Sequence, residues 1–339
     1  MLLVQRLPDI VLLVKPMFRS LLFLFIFLCH SALIGAEHYG AIEIGGKGVK
    51  AYVIDIDANL TKMTYRNGLN TSPQSGISEQ YLMNSSMIKQ VTSDIVVLKN
   101  ALLNEQKVSE DHLFIIASSA INKIKNRPEL ETSIKNSTRL TLHFIDESEE
   151  SRFAFYGSVP KDQWDKASMI DIGGGNTKVA WMDSNHTIDF FEVPLGTVST
   201  TQNAHALDTN ASFEQKCLRI INKELSSIKS FENKETLFAS GGIFWATAYL
   251  KTNGHLESFV PLEKADFEHL IALFSQEQRK ECTEATAQCY LLGYYGAKNL
   301  VAGGLLAKET IEAMKFFNQK VYFVKDGAWV IGWLLTHTK

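Results

Sequence analysis

The stretch IEIGGKGVKAYVID, from Ile42 to Asp55, returns as IDIGGGNTKVAWMD, from Ile170 to Asp183. Six of the fourteen positions are identical, and a seventh exchanges Glu43 for Asp171. Repeats of roughly 20–50 residues signify a solenoid. One recurrence at a much longer interval signifies two related lobes, each opening on the same motif. The length of 339 residues agrees, being too great for one ordinary core and suited to two.

Each copy reads as strand, glycine turn, strand. Tyr39–Ile44 and Val49–Ile54 flank Gly45-Gly46-Lys47-Gly48, and Ser168–Ile172 and Thr177–Asp183 flank Gly173-Gly174-Gly175-Asn176. Glycine at several turn positions permits close backbone approach, and successive N–H groups can then converge as a nest for an anion. The acids two positions before the first glycine, Glu43 and Asp171, are placed to hold a metal ion or a water beside a bound phosphate. A lone glycine hairpin is usually only a turn. Two of them, each at a lobe start, predict a polyphosphate or nucleotide-phosphate chain clamped between lobes. The formal net charge is −3, so such an anion must be held by local donors rather than by the overall field. No basic block with interleaved aromatics is present, so nothing points to a nucleic-acid partner and none is expected.

The intervening chain alternates strands and helices. Apolar residues at Ile88, Val91, Ile95, Leu98 and Leu102 mark an amphipathic helix. His112–Ala117 is a short buried strand, and Ser118-Ser119 can cap the helix after it. Leu140–Ile145 is a strand leading into a helix from about Glu147 to Tyr156. Ser158–Lys166 reads as a crossing between lobes. The second lobe continues with helix Phe213–Lys229, strand Thr236–Ala239, a helix opened by Gly241-Gly242, helices near Leu262–Ser275 and Val301–Phe317, strand Val321–Val324 and an apolar terminal helix, Ala328–Thr336. Strands interleaved with helices in both halves predict an α/β fold with mixed sheets.

Two further stretches carry chemistry. Phe144–Arg152, FIDESEESR, places Asp146, Glu147, Glu149 and Glu150 where a strand enters a helix. Acids at a helix N-terminus complement its dipole; alternatively, one of them activates water as a general base. The N–H groups opening the helix at Gly241-Gly242 could bind a further phosphate, or the glycines could serve close strand–helix packing. Gly196 in VPLGT is a candidate lobe-facing turn. No H-E-x-x-H, G-x-S-x-G or P-loop lysine motif occurs.

The first 36 residues stand apart. Arg19, the apolar run Leu21–Cys29 and the small residues Ser31, Ala32, Gly35 and Ala36 have the order of a secretory leader. Met17 is an alternative start. The other readings are a membrane anchor and a cytoplasmic chain. Any membrane contact is expected only through this segment. Of the remaining cysteines, Cys282 and Cys289 are seven residues apart on an expected helix, a rise of about 10 Å. That exceeds the roughly 7 Å reach of a disulfide and predicts free thiols.

Together these residues resemble the Ppx/GppA family of exopolyphosphatases and guanosine pentaphosphate phosphohydrolases, within the actin-like ATPase superfamily. Ile42–Ile54 is similar to the family's first phosphate hairpin, Ala117–Asn126 to its small-residue turn and helix, Ile145–Gly157 to I-S-G-x-E-E-A-R, and Ile170–Lys178 to D-I-G-G-G-S-T-E. Ser240-Gly241-Gly242 and Asp326-Gly327-Ala328 fit two later motifs. The resemblance implies two actin-like (ribonuclease H-like) lobes, residues 37–158 and 159–339 after the leader, with a cleft between them. It implies a phosphoanhydride hydrolase releasing phosphate from polyphosphate or a related substrate, with Mg2+ as cofactor and a homodimer as a compatible assembly. Glu150 is the implied general base, and Asp171 and Glu43 the implied metal ligands. Gly45, Gly46, Lys47, Gly48, Gly173, Gly174, Gly175, Asn176, Thr177, Lys178, Gly241 and Gly242 are the expected phosphate-binding residues. The chain departs from the pattern at Glu43, an aspartate in the family, at Lys178, a glutamate, and at Asn122, an arginine. Gaining Lys178 for a carboxylate weakens a divalent site, and Lys47 and Lys178 could neutralise phosphate instead. An exported apyrase-type nucleoside tri- and diphosphatase and a non-catalytic polyphosphate or nucleotide binder are the alternatives.

Overall fold

The computed structural model describes residues 37–46, 48–56, 61–69, 71–226, 234–275 and 286–338. Residues 1–36, which carry the leader expectation, lie outside the described residues, as do Lys47 and Cys282. Strands β1 (Glu37–Gly45), β2 (Gly48–Ile56), β3 (Thr61–Leu69), β4 (Leu113–Ala117) and β5 (Leu142–Phe144) form one sheet in the order β3-β2-β1-β4-β5. Helices α1 (Ser85–Asn104), α2 (Arg127–Thr138) and α3 (Glu147–Ser158) belong to this half of the chain. The second sheet contains β6 (Ala167–Ile172), β7 (Thr177–Met182), β8 (Ile188–Val193), β9 (Thr236–Gly241), β10 (Phe259–Pro261) and β11 (Lys320–Val324), in the order β10-β11-β9-β6-β7-β8. Its helices are α4 (Thr197–Ala206), α5 (Phe213–Leu225), α6 (Gly242–Lys251), α7 (Lys264–Ser275), α8 (Ala287–Tyr295), α9 (Ala297–Ala313) and α10 (Trp329–His337).

The two sheets repeat one topology. β1 pairs antiparallel with β2 and β2 with β3, while β4 lies parallel to β1 and β5 to β4. β6, β7, β8, β9 and β11 repeat these pairings and directions. The duplication visible in the sequence over one hairpin therefore extends through five strands of each sheet. The mixed-sheet α/β architecture follows the expectation.

Period-two alternation decides which residues meet. In β1, Ile42 and Ile44 enter the core beneath α1 and α2, whereas Tyr39 and Ala41 enter a different core. In β6, Ile170 and Ile172 face the helices of the second half, whereas Ala167 and Met169 enter the same second core as Tyr39 and Ala41. That shared core is filled by α3 and α10, through Phe153, Phe155, Trp329, Val330 and Trp333. By the same alternation Glu43, Lys50, Asp171 and Lys178 lie on the shared face of their strands.

Helices α3 and α10 pack backbone against backbone. A methyl group on Gly332 would stand 1.9 Å from the Phe153 carbonyl oxygen, and one on Gly157 would stand 2.1 Å from that of Ala328. Neither contact has room for a Cβ. The sequence pattern places α10 and α1 correctly; in α1 the periodic residues Ile88, Val91, Ile95, Leu98 and Leu102 are all buried. It does not disclose β3 or β8, one edge strand of each sheet, whose sequences TKMTYRNGL and IDFFEV lack clean apolar alternation, nor the short edge strand β10. Cys217 is a buried free thiol. Cys289 instead is disulfide-bonded, with its partner outside the described residues. The expectation of free thiols fails for Cys289 because it assumes one continuous helix, whereas α8 begins only at Ala287.

Gly332→Ala should lower the unfolding free energy by ~2 kcal/mol or more, since the added carbon cannot be accommodated without separating the helices. Gly175→Ala, at a position with nothing within 4 Å of an added Cβ, should leave the melting temperature unchanged. Equal melting temperatures for wild type and Gly332→Ala would contradict the close crossing.

Candidate active site

The four acids entering α3 divide among three tasks. Asp146 is the N-cap: its carboxylate accepts the Glu149 N–H at 2.8 Å, and the Glu149 carboxylate accepts the Asp146 N–H at 2.9 Å, a reciprocal capping box. Glu147 pairs with Lys123. Glu150 serves neither purpose. Its Oε2 accepts the Ser119 N–H at 2.8 Å, and its Oε1 lies 2.6 Å from Lys178 Nζ. Capping thus accounts for Asp146 and Glu149, whereas Glu150 is directed away from the helix end. Ser119 begins a single helical turn, Ser119–Asn122, whose N-cap Ser118 makes no side-chain cap. The expected serine cap is replaced by the Glu150 carboxylate, and Ser118 Oγ is buried without a hydrogen-bond partner among the described residues.

Lys178 is 3 % exposed. It stands opposite Asp171 across the β6–β7 pair, as Lys50 stands opposite Glu43 across β1–β2. The repeat thus carries an acid–lysine pair as well as glycines. The signal for it lies in the aligned stretches, where Lys50 and Lys178 occupy the same position, although the glycine turns beside them are the more conspicuous feature. Asp171 is partly buried and accepts a hydrogen bond from Ser240 Oγ at 3.1 Å. Loss of solvent around it raises its pKa above the usual carboxylate range; Lys178 and Lys50 oppose that shift, and the Glu150 charge adds to it. Glu43 accepts from Tyr52 Oη at 2.7 Å and lies 3.9 Å from Lys50 Nζ. Burial, then the Glu43 charge, drives the Tyr52 hydroxyl pKa well up, so this phenol remains a donor. Tyr52, Lys50, Ser119 and Ser240 complete the site, and none of them is singled out for it by the sequence alone.

The turns differ in construction. In the first, a Cβ on Gly45 would stand 2.8 Å from Glu43 Oε1 and one on Gly46 would stand 2.8 Å from Gln74 Oε1, so the longer acid leans over its own turn. In the second, the Gly173 carbonyl accepts the Thr197 N–H and the Gly174 carbonyl accepts those of Val198 and Ser199. Gly196, the N-cap of α4, lies so close beneath that a Cβ would be 2.5 Å from the Gly174 carbonyl carbon and the Gly175 nitrogen. With its carbonyls bound to α4, the turn has the N–H groups of Gly174 and Gly175 left, and among the described residues these meet no backbone acceptor.

Several expected phosphate ligands are committed elsewhere. Thr177 is fully buried and its hydroxyl donates to the Leu195 carbonyl at 2.7 Å, so that side chain is not available to a ligand. Asn176 Nδ2 donates to Glu192 Oε1 at 3.0 Å. Gly241 has φ +100°, and a Cβ there would press within 2.4 Å of the Ile172 carbonyl oxygen and 2.8 Å of Asp171 Oδ1. A Cβ on Gly242 would meet Tyr295 Oη at 2.9 Å. Close backbone packing thus favours glycine at position 241, and the Tyr295 ring crowds position 242. At Asn122, where the family pattern has arginine, Arg127 Nη1 donates to Asn122 Oδ1 at 2.7 Å, bringing a guanidinium to that place from α2.

Mg2+ does not fit these side chains as an ion held by the protein alone. Among the described residues no three acidic, histidine or cysteine side chains are arranged to hold a metal ion. Glu150, Asp171 and Glu43 are each turned toward an ammonium or a hydroxyl donor, and an ammonium among carboxylates opposes a hard cation that requires oxygen ligands.

A family model described as the Ppx/GppA phosphatase family matches residues 53–328. The chain belongs to this family. Solved relatives share the fold. The type II variant of the Aquifex aeolicus Ppx/GppA phosphatase is 20 % identical, with a TM-score of 0.72 over 89 % of this chain and 100 % of that one. An exopolyphosphatase from Cytophaga hutchinsonii is 17 % identical, with a TM-score of 0.69 over 88 % and 97 %. Among curated relatives, Retrograde regulation protein 2 of Saccharomyces cerevisiae is 26 % identical over 100 residues, which span 30 % of this chain but 17 % of that protein.

Because the folded state holds the Asp171 proton more tightly than the unfolded chain, its contribution to stability is complete below the unfolded pKa of ~3.9 and is lost as pH rises through the higher folded value. Asp171→Asn should remove this loss. The melting temperature of the variant minus that of wild type should increase from pH 4 to pH 7; a difference independent of pH would contradict an Asp171 that ionises against its surroundings.

Proposed function

We propose that this protein hydrolyses a terminal phosphoanhydride of polyphosphate or a related polyphosphorylated substrate in the cleft between its two glycine hairpins. The observation that carries the reading is Glu150: of four acids at the start of α3, it alone is turned toward Lys178 and the strand face of Asp171, Asp146 and Glu149 capping the helix and Glu147 pairing with Lys123. A carboxylate has about four lone-pair positions. Lys178 and the Ser119 N–H occupy two, which leaves capacity for a water. In the proposed reaction Glu150 takes a proton from that water, the water oxygen forms a bond to the terminal phosphorus, and the bridging P–O bond breaks, its electrons leaving with the shortened chain. The N–H groups of Gly45, Gly46 and Gly48 and of Gly173–Gly175 would stabilise charge on the transferred group, and closure of the lobes would exclude bulk water.

The Glu150–Lys178 pair also favours a second reading, binding without turnover. Both oxygens of the base already have donors, and one curated relative is named as a regulation protein. Export is part of the proposal as well. The leader-like order of residues 1–36 supports it, and so does the disulfide at Cys289, since disulfides persist in oxidising compartments.

Purified protein should release phosphate from polyphosphate, and Glu150→Gln should lower kcat by about 10²–10⁴-fold with little change in KM. Equal turnover by Glu150→Gln would remove Glu150 from the reaction. Saturable polyphosphate binding with no release of phosphate would establish the binding reading instead.

A further inference from the structure

We infer that Lys178 is the resident cation of this site, standing in for a divalent ion, so that the cleft binds the phosphate chain without metal. The inference rests on the polyphosphate reading above and adds the means by which the substrate's charge is met.

Lys178 is almost wholly buried, yet it lies within a group of carboxylates rather than beside one partner. Its Nζ is 2.6 Å from Glu150, its strand position faces Asp171, and the Asp171 carboxyl senses its charge. Burying an ammonium is costly unless it is paired. A single carboxylate would suffice for pairing alone. Here the ammonium has three N–H donors, of which Glu150 Oε1 engages one. Placed on the face shared by both sheets, beside the candidate base, the remaining donors can reach a phosphate oxygen held at the Gly173–Gly175 turn.

The first hairpin repeats the device independently. Lys50 faces Glu43 across β1–β2, at 3.9 Å, and is more exposed than Lys178. Three carboxylates, Glu43, Glu150 and Asp171, are thus answered by two ammonium groups contributed by the same position of the duplicated motif. A divalent cation entering this group would have to displace an ammonium from the carboxylates. The converse is also testable: replacing Lys178 by glutamate would bring three carboxylates, Glu150, Asp171 and the new side chain, into one place, the kind of oxygen set a hard cation takes.

The test is isothermal titration of the full chain with tripolyphosphate, in EDTA and in Mg2+, with Mn2+ binding followed by electron paramagnetic resonance. Wild type should bind tripolyphosphate equally, within about twofold, in both buffers. Lys178→Gln, a neutral variant of similar length, should weaken binding in EDTA by about tenfold or more, the loss of a charged hydrogen bond. Lys178→Glu should bind only with Mg2+ and should acquire a Mn2+ signal that wild type lacks. Wild-type binding that appears only with Mg2+, or binding in EDTA that Lys178→Gln leaves unchanged, overturns the inference while leaving the polyphosphate reading in place. No binding in either buffer overturns both.

Discussion

A helix from the middle of the chain and the last helix cross backbone to backbone, at Gly157 of α3 and Gly332 of α10, and the remaining geometry depends on that crossing. Because these helices fill the core between the sheets, their close contact sets how near the inner strand faces come. It also sets the axial position of α3, and hence the position at which its first turn delivers Glu150. A side chain at either glycine would separate the layers, and the donors from the two lobes would no longer address one ligand. The cleft is therefore built from behind: apolar residues such as Phe153, Trp329 and Trp333 hold the layer together, and the polar groups at its open end inherit their spacing.

At that open end the chemistry is one of balanced charge. Each hairpin presents an acid and a lysine across a strand pair, and α3 adds one further carboxylate. The glycine turns supply N–H groups rather than formal charge, and in the second turn α4 takes up the carbonyls that would otherwise repel an anion. This local arrangement matters because the chain as a whole is slightly acidic and offers no general attraction to a polyanion. Membership of the Ppx/GppA phosphatase family fixes the ancestry of this scaffold.

Much of this is legible in the sequence. A duplicated hairpin with acids at matching positions announces two lobes, and strand alternation places both acids on one face. The burial of the α1 stripe comes from its spacing alone. The illegible parts depend on contacts between distant segments. The spacing of Asp146 and Glu149 is the signature of a capping box, but nothing in FIDESEESR says that Glu150 turns to Lys178. Thr177 resembles a phosphate ligand because it adjoins the turn, but the Leu195 carbonyl claims its hydroxyl. Gly241 and Gly242 resemble an anion site, and the close packing around them is not visible in the sequence. The edge strands β3 and β8 carry no clear period, because they take their structure from the neighbour they pair with. The lysine pair is a different case: it stands in the aligned repeat itself, and Lys178 departs from the family pattern only by matching Lys50 in the first hairpin.

The central claim is that both hairpins act on one phosphate chain. Amide resonances followed by nuclear magnetic resonance during titration with tripolyphosphate test it most directly. The account predicts that the N–H signals of Gly45, Gly46 and Gly48 and those of Gly173, Gly174 and Gly175 shift together along a single saturation curve. Shifts confined to one hairpin, or two hairpins saturating at different concentrations, would contradict it.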